Sequence, residues 1–563
     1  MSTNKETPPH QRRMYTRFGL WTDPAIFFVS AGVVIGFVIF AILFTDQLDR
    51  GATAAKDWVV TNLSWFFIFS VTAMLVFLIW IALSKYGNVR LGAQDSKPEY
   101  SNLSWFAMLF AAGIGTVLMF WGVAEPISHF GDPPREGVEP KSVEAADDAM
   151  AFALYHLGLH TWAIFCLPAL AFAYFIYRRG LPMRMSSAFH PLIGDRIYGP
   201  IGKAIDIIAV IGTLFGVATS IGLGTLQINS GLNYLSDSIP IGKTQQVIII
   251  VVVTLIATAS IVAGMDKGVK RLSNLNIGMA IGLMIFVFLA GSTLFLARGI
   301  FQTFGTYLSE VIPLAFWNDT YADLLENRSW GWQGDWTVFY WAWTITWAPF
   351  VGIFVARISR GRTIREFVLG VLVAPTAFTV VWFSIFGLSA FDIEINGSGG
   401  LVAEMDTESG GRGAPYALFT FLQEFPLPTL MVALAVLIVV IFFTTSSDSA
   451  SLVVDMLCTG EQEKKSPVRQ RVFWAILEGV VGATLLVATV GASGLAALQQ
   501  TITIAGLPFH VLTFFMMWAL VRALRRDVDV VDVRPRAPAA GPSLPKASAD
   551  EPPAAEKASP DHD

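Results

Sequence analysis

Residues 336–362 read WTVFYWAWTITWAPFVGIFVARISRGR, some twenty mostly apolar residues running into a cluster of arginines. A helix of about that length crosses a hydrocarbon core of roughly 30 Å, and arginines beyond its end are held on one side of the membrane. Outward from this stretch, further apolar segments lie near 24–44, 62–84, 103–124, 149–177, 204–233, 244–264, 273–297, 367–390, 428–455, 472–493 and 501–521, which with 337–356 make twelve. The composition agrees, at 54% hydrophobic and 14% charged residues with a mean hydropathy of +0.57. Soluble chains carry about 25% charged residues. The reading is an all-α integral membrane protein. A net charge of -5 without a Lys/Arg stripe gives no footing for nucleic acid. The two cysteines, Cys166 and Cys458, lie in or beside apolar segments and read as packing residues, not as a disulfide.

With twelve segments, alternate loops share a side and should share the basic residues. Of the 38 Lys and Arg, only Arg50, Lys56, Arg135, Lys141, Lys243, Arg298, Arg328 and Arg412 fall opposite the chain ends. Both termini are therefore expected in the cytoplasm. The first apolar stretch is too long for a cleavable signal and is expected to stay as a span. Residues 1–20 read as a short basic tail, and 527–563, rich in Pro, Ala and acidic residues, as a disordered one. Between the seventh and eighth segments, 298–335 contains IFQTFGTYLSEVIPLAF, the pattern of an amphipathic helix lying at the outer interface.

Backbone irregularity at membrane depth is expected only where it lines a cavity or is buried in protein. The third segment, FAAGIGTVLMFWGVAEP, carries Gly113 and Gly115, and the eighth carries Pro349 and Gly352. These two segments are five apart. That spacing suggests two five-helix repeats, 101–297 and 336–526, each opening on a helix interrupted near the midplane, with two additional helices in 21–100. Glycines in membrane helices also serve close packing, which is the competing reading for either motif alone.

Trp336, Tyr340, Trp341, Trp343 and Trp347 crowd the eighth segment, and Trp343 and Trp347 sit one turn apart. Aromatic faces hold cations that lack N–H donors. The fourth segment, YHLGLHTWAIF, puts Trp162 and Phe165 on a common face; ordinary core packing is the alternative for all these rings. In the tenth, IFFTTSSDSAS offers hydroxyls suited to a hard cation, against the alternative of bonding back to the preceding turn. Asp448 and Arg357 are the candidates for an inner gate pair. His156 and His160 have a metal-binding spacing but no Glu or Cys near them in sequence, so they read as polar packing residues, with no transition-metal site expected.

The runs WAWTITWAPFVGIFVARISRGRTIREF, GIGTVLMFWGVAEP and IFFTTSSDSAS resemble the signatures of the betaine/choline/carnitine transporter family, a resemblance that covers all twelve segments. It implies a leucine-transporter-like 5+5 inverted repeat preceded by two helices, and a usually trimeric assembly in a bacterial plasma membrane. It also implies uptake of a small zwitterionic or quaternary-ammonium compatible solute, with no enzymatic activity and no cofactor. Sodium is the coupling ion it implies, held by the carbonyls of Ala111, Ile114 and Phe442 and the hydroxyls of Thr445 and Ser446. For the solute it implies Trp162, Phe165, Trp343, Thr344, Trp347, Gly113, Gly115 and Leu157. Leu157, Phe165 and Thr344 replace a tryptophan, a tyrosine and a tryptophan usual in the family's betaine box, while Trp343 and Trp347 match conserved tryptophans beside or below it. A wider, more polar pocket suits ectoine or a sulfonium osmolyte as well as glycine betaine, and Val117, where choline-selective members resemble this segment with an acidic residue, argues against choline. Proton coupling or exchange of choline, carnitine, ectoine or a sulfonium osmolyte is the alternative; a non-transporting membrane osmosensor is the reading from another class.

Overall fold

Asp23 starts the first long helix by accepting hydrogen bonds from the amides of Ala25 (3.0 Å) and Ile26 (3.4 Å), with Pro24 at the position where a missing N–H costs nothing. The computed structural model describes residues 14–113, 115–263, 266–321, 324, 331–461, 467–487 and 494–533. Its main helices are α1 (Pro24–Leu43), α2 (Thr45–Leu83), α3 (Asn102–Gly113), α4 (Thr116–Gly131), α5 (Val143–Leu157) and α6 (Leu159–Phe172). They continue with α7 (Pro200–Leu235), α8 (Lys243–Ala263), α9 (Asp266–Ala290), α10 (Thr293–Ala315) and α11 (Phe339–Ile358). The last four are α12 (Ile364–Asn396), α13 (Pro428–Thr459), α14 (Val468–Val487) and α15 (Gly494–Val533). Among the described residues, eleven helical stretches are long and apolar enough to cross a membrane. The third expected segment is not among them because it is broken into α3 and α4.

Helix α11 lies deep in the bundle, as do α6 and α7. The stretch containing it is 83% buried, whereas those containing α1 and α8 are 39% buried and that containing α9 only 28%. Helices α6, α7 and α15 wall it in, and α3 touches it. The poorly buried helices carry exposed Ile, Val, Leu and Phe, the surface expected to face lipid.

Three expectations need correction. Helix α11 runs unbroken through Pro349. One proline removes a single donor, and membrane helices tolerate that when neighbouring protein surrounds the site. Gly352 does not loosen the next turn but lets α6 approach, since a Cβ there would lie 3.2 Å from the amide nitrogen of Ala169 and the ring of Phe172. The second break lies in the fourth segment, at Gly158 between α5 and α6. Lastly, α15 extends to Val533, past the expected start of a disordered tail at 527; residues 534–563 lie outside the described ones. The amphipathic helix is present as α10 and starts at Thr293, earlier than expected.

The basic residues separate as the loop pattern requires. At one end Arg135 meets Asp148 and Glu310, Lys141 meets Glu394, Lys56 meets Asp335 and Arg412 meets Glu404. At the other, Arg178 and Arg179 meet Asp527, Lys203 meets Asp23 and Arg360 meets Glu99. Here the basic run after α11 is structural. Gly361 adopts φ +84° and its amide donates to Leu91 O at 2.7 Å. The Arg362 guanidinium lies 3.9 Å from the Trp105 ring centre and donates to Asn102 (2.8 Å) and Tyr100 (3.0 Å). The motif thus ties the end of α11 to the start of α3, the first half of the broken segment.

A Cβ at Gly361 would fall 2.2 Å from Lys97 O. Gly361→Ala is therefore expected to cost more than the roughly 1–2 kcal/mol of the left-handed backbone alone, read as a lower thermal midpoint of the purified chain. On the opposite face, Arg412 grips Glu404 through two side-chain bonds of 2.8 and 2.6 Å and its own amide at 2.9 Å. Burial alone would raise the Glu404 carboxyl, but these bonds, the Arg412 charge and Thr420 hold it below its ordinary value. A lowered carboxylate contributes stability that is complete above about pH 4.5 and lost as pH falls through the depressed value. Amide protection in 401–422, corrected for the intrinsic exchange rate, should therefore fall below about pH 4, and Arg412→Ala should weaken that dependence.

Candidate functional site

The break in the third segment leaves the last carbonyls of α3 and the first amides of α4 without helical partners. Gly115 is extended there (φ -140°, ψ -171°), and a Cβ on it would meet nothing within 4 Å, so open space lies beside the break. Just beyond it, Trp382 Nε1 donates to Leu118 O at 3.2 Å and Gln227 Nε2 to Met119 O at 2.8 Å, fixing the start of α4 against α12 and α7. A half-helix start of this kind favours negative charge, and the α3 end favours positive. Ala111 and Gly113 lie in the last turn of α3; Ile114 lies outside the described residues.

The eighth segment begins with a widened π-type turn over Gly334–Val338 and continues as α11. Trp343 is buried, stacks on Phe339 (5.6 Å, 15°) and donates from Nε1 to Ser220 Oγ of α7 at 3.1 Å. Trp347, half-buried, packs edge-on to Phe350, and its Nε1 is enclosed without a hydrogen-bond partner. It lines a small cavity with Ser220, Ser446, Ser447, Val217 and Phe443. That space is about 10 Å³, room for one water and not for a solute, so the helices are closed around it. A larger cavity of about 560 Å³, among Phe37, Phe40, Ile211, Phe215 and Phe509, is almost entirely apolar and lies apart from the expected site residues.

The other expected residues are placed as follows. Trp162 is buried and pairs with Phe165 at 5.6 Å; among the described residues neither ring contacts Trp343 or Trp347. Leu157 and Thr344 are buried. On α13, Phe442 is buried, Thr445 bonds back to Ile441 O (2.8 Å) and Phe442 O (3.2 Å), and Ser446 lines the small cavity. Asp448 does not meet Arg357. Its carboxylate faces Arg471 of α14 at 3.6 Å, while Arg357 is exposed, because the turn of α11 points it away from α13.

Sequence reasoning missed three features beside this site. At Gly158, the Leu159 amide freed by the break donates to the Tyr307 hydroxyl of α10 at 2.9 Å, so the interfacial helix completes the fourth segment. The second is a buried polar cluster. Glu125 of α4, distant in sequence, reaches His156: Oε1 lies 2.6 Å from His156 Nδ1, and Oε2 accepts from the Tyr340 hydroxyl at 2.5 Å. The expectation that no glutamate neighbours this histidine therefore fails, because helix packing brings together what loop length separates. His160 keeps the packing role, wedged between Tyr155 (4.6 Å) and Trp341 (6.0 Å). Glu478 of α14 was also overlooked; it is buried and accepts from Ser447 at 3.3 Å.

Glu125→Ala leaves the His156 Nδ1 and Tyr340 hydroxyl unpaired in the interior, at about 1–3 kcal/mol for each. A clear fall in thermal midpoint is expected, with Glu125→Gln falling less because its amide still bonds Tyr340.

Residues 25–529 match the family model described as betaine/carnitine/choline family transporter. An ectoine/glycine betaine/proline transporter of Corynebacterium glutamicum is 46% identical over 91% of this chain and 82% of its own length. A glycine betaine transporter of Acinetobacter baylyi is 42% identical over 90% and 74%, and a high-affinity choline transport protein of Escherichia coli 40% over 91% and 74%. A helical chain with a broken third segment, matched along nearly its whole length, belongs to the betaine/carnitine/choline transporter family.

Proposed function

We propose that this chain imports a compatible solute of the betaine type, glycine betaine or a related zwitterion such as ectoine, by sodium symport, with both termini in the cytoplasm of a bacterial plasma membrane. The observation that carries the reading is the helix break at Gly113–Gly115, whose two half-helix ends suit a solute carboxylate and a cation, in a chain of this family. The cationic end of the solute is assigned to Trp343 and Trp347, with Trp162, Phe165, Thr344 and Leu157 as the remaining wall. Sodium is assigned to the α3 end with Phe442, Thr445 and Ser446; the Thr445 hydroxyl would turn from its present bonds to Ile441 O and Phe442 O toward the ion. The 46% relative named for ectoine, glycine betaine and proline supports a zwitterion over a simple cation.

One sodium moving down about 100 mV supplies about 2.3 kcal/mol, and a tenfold gradient about 1.4 more. Together these support roughly 500-fold accumulation. A second reading, proton coupling, is favoured by one observation: the buried Glu478 carboxylate bonded to Ser447 on the wall of the small cavity.

Proteoliposome uptake of labelled glycine betaine, ectoine and choline separates the two. Accumulation of a zwitterion is expected with an inward sodium gradient and not with a pH gradient alone. Loss of a desolvated cation–π contact worth about 2 kcal/mol predicts a roughly 30-fold weaker apparent affinity in Trp343→Ala. Uptake driven by the pH gradient without sodium, and abolished in Glu478→Gln, would replace sodium symport with the proton reading.

A further inference from the structure

We propose that Glu125, His129 and His156 form a binding site for a divalent transition-metal ion of the zinc class, placed where it pins the outer half of the broken third segment. The inference is independent of which solute is carried. Glu125 and His129 are one turn apart on the same face of α4, and His156 comes from the end of α5. All three are fully enclosed, and one ligating atom from each lies within 4.8 Å of the others. The measured separations are 2.6 Å from Glu125 Oε1 to His156 Nδ1 and 3.5 Å from Oε1 to His129 Nε2. Ligands about 2.0–2.1 Å from a tetrahedral zinc sit roughly 3.3 Å apart, so side-chain adjustments of about 1.5 Å or less place three ligands around the ion and leave the fourth position to water.

Two further observations point to a cation. His129 Nε2 is buried 3.5 Å from the carboxylate and has no hydrogen-bond partner, a cost that a metal bond would remove. The outer bonds of the other two ligands are already made. His156 Nε2 bonds Thr337 Oγ1 at 2.9 Å, and the Tyr340 hydroxyl holds the second oxygen of Glu125, the arrangement that orients imidazole and carboxylate toward a metal. The 2.6 Å contact between Oε1 and Nδ1 is attractive only with a proton between them, and the metal ion takes the place of that proton. An imidazole–carboxylate donor set selects zinc, cobalt or nickel over sodium or magnesium. Access is from the membrane face that carries residues 132–142, since α4 ends at Gly131, two residues past His129.

With α4 and α5 bridged by the ion, and the eighth segment bonded to His156 through Thr337 and to Glu125 through Tyr340, these three elements are held in one arrangement. Transport requires such helices to move, so metal on this face is inhibitory. The test uses the full-length protein, purified without a histidine tag. Equilibrium dialysis against micromolar Zn²⁺ with elemental analysis should find one bound ion per chain, and Co²⁺ should give the visible absorption of a low-coordinate site. His129→Gln should weaken binding at least tenfold, Thr337→Val should weaken it by about 10- to 100-fold through the lost orientation of His156, and the surface variant His190→Gln should leave it unchanged. External Zn²⁺ should slow uptake by the parent and not by His129→Gln. No retained ion, or binding equal in the parent, His129→Gln and Thr337→Val, would overturn the proposal. Thr337→Val keeps all three ligands and guards against a merely unfolded His129 variant.

Discussion

Inside hydrocarbon no water is available to the backbone, so each place where a helix stops must find its partners in protein or around a cargo. Among the described residues this chain stops so at Gly113–Gly115 and at Gly158. At Gly158 the stop is closed by protein, because Tyr307 receives the freed amide and the chain turns directly into α6. At Gly113–Gly115 the flanking helix is anchored by Trp382 and Gln227, but the space next to Gly115 stays open. The first break sets the angle between α5 and α6; the second leaves polar backbone facing a space. That difference, more than any single side chain, distinguishes a structural bend from a place suited to a solute.

The surrounding packing is arranged to hold the open break in position. Arg362 stacks on Trp105 and ties the exit of the central helix to the entrance of α3, while the Glu125 cluster ties α4 to α5 and α11 from the opposite end. The broken segment is therefore gripped at its two outer ends and, just past the break, by Trp382 and Gln227, while the space beside Gly115 stays open. Trp343 and Trp347 project from the central helix between these grips, one bonded to Ser220 and the other carrying a buried indole nitrogen without a partner.

Much of this was legible in the residues. The helical segments and the Gly113–Gly115 break follow from hydropathy and the helix cost of paired glycines, both of which are local. The eighth segment misled because proline and glycine have two meanings in a membrane helix, and only the neighbour decides. Gly352 faces Ala169 and Phe172, so it serves contact. Gly158 stood in plain view within YHLGLHTW, but nothing local says that a tyrosine about 150 residues later is ready to receive its neighbour's amide. Asp448 faces Arg471 of α14, a pairing that no spacing in the sequence marks. Glu125 was hidden for the same reason: metal-type or gate-type clusters assembled from separate helices leave no spacing rule in the sequence.

The central claim is that the open break and the α11 tryptophans enclose the solute together. A cryo-electron microscopy map of the chain with glycine betaine and sodium tests it directly. Density for the solute is predicted between the α3–α4 break and Trp343 or Trp347, with the small cavity beside Ser446 widened beyond its present 10 Å³. Solute density elsewhere, with residues 111–117 continuous as a regular helix, would contradict the account.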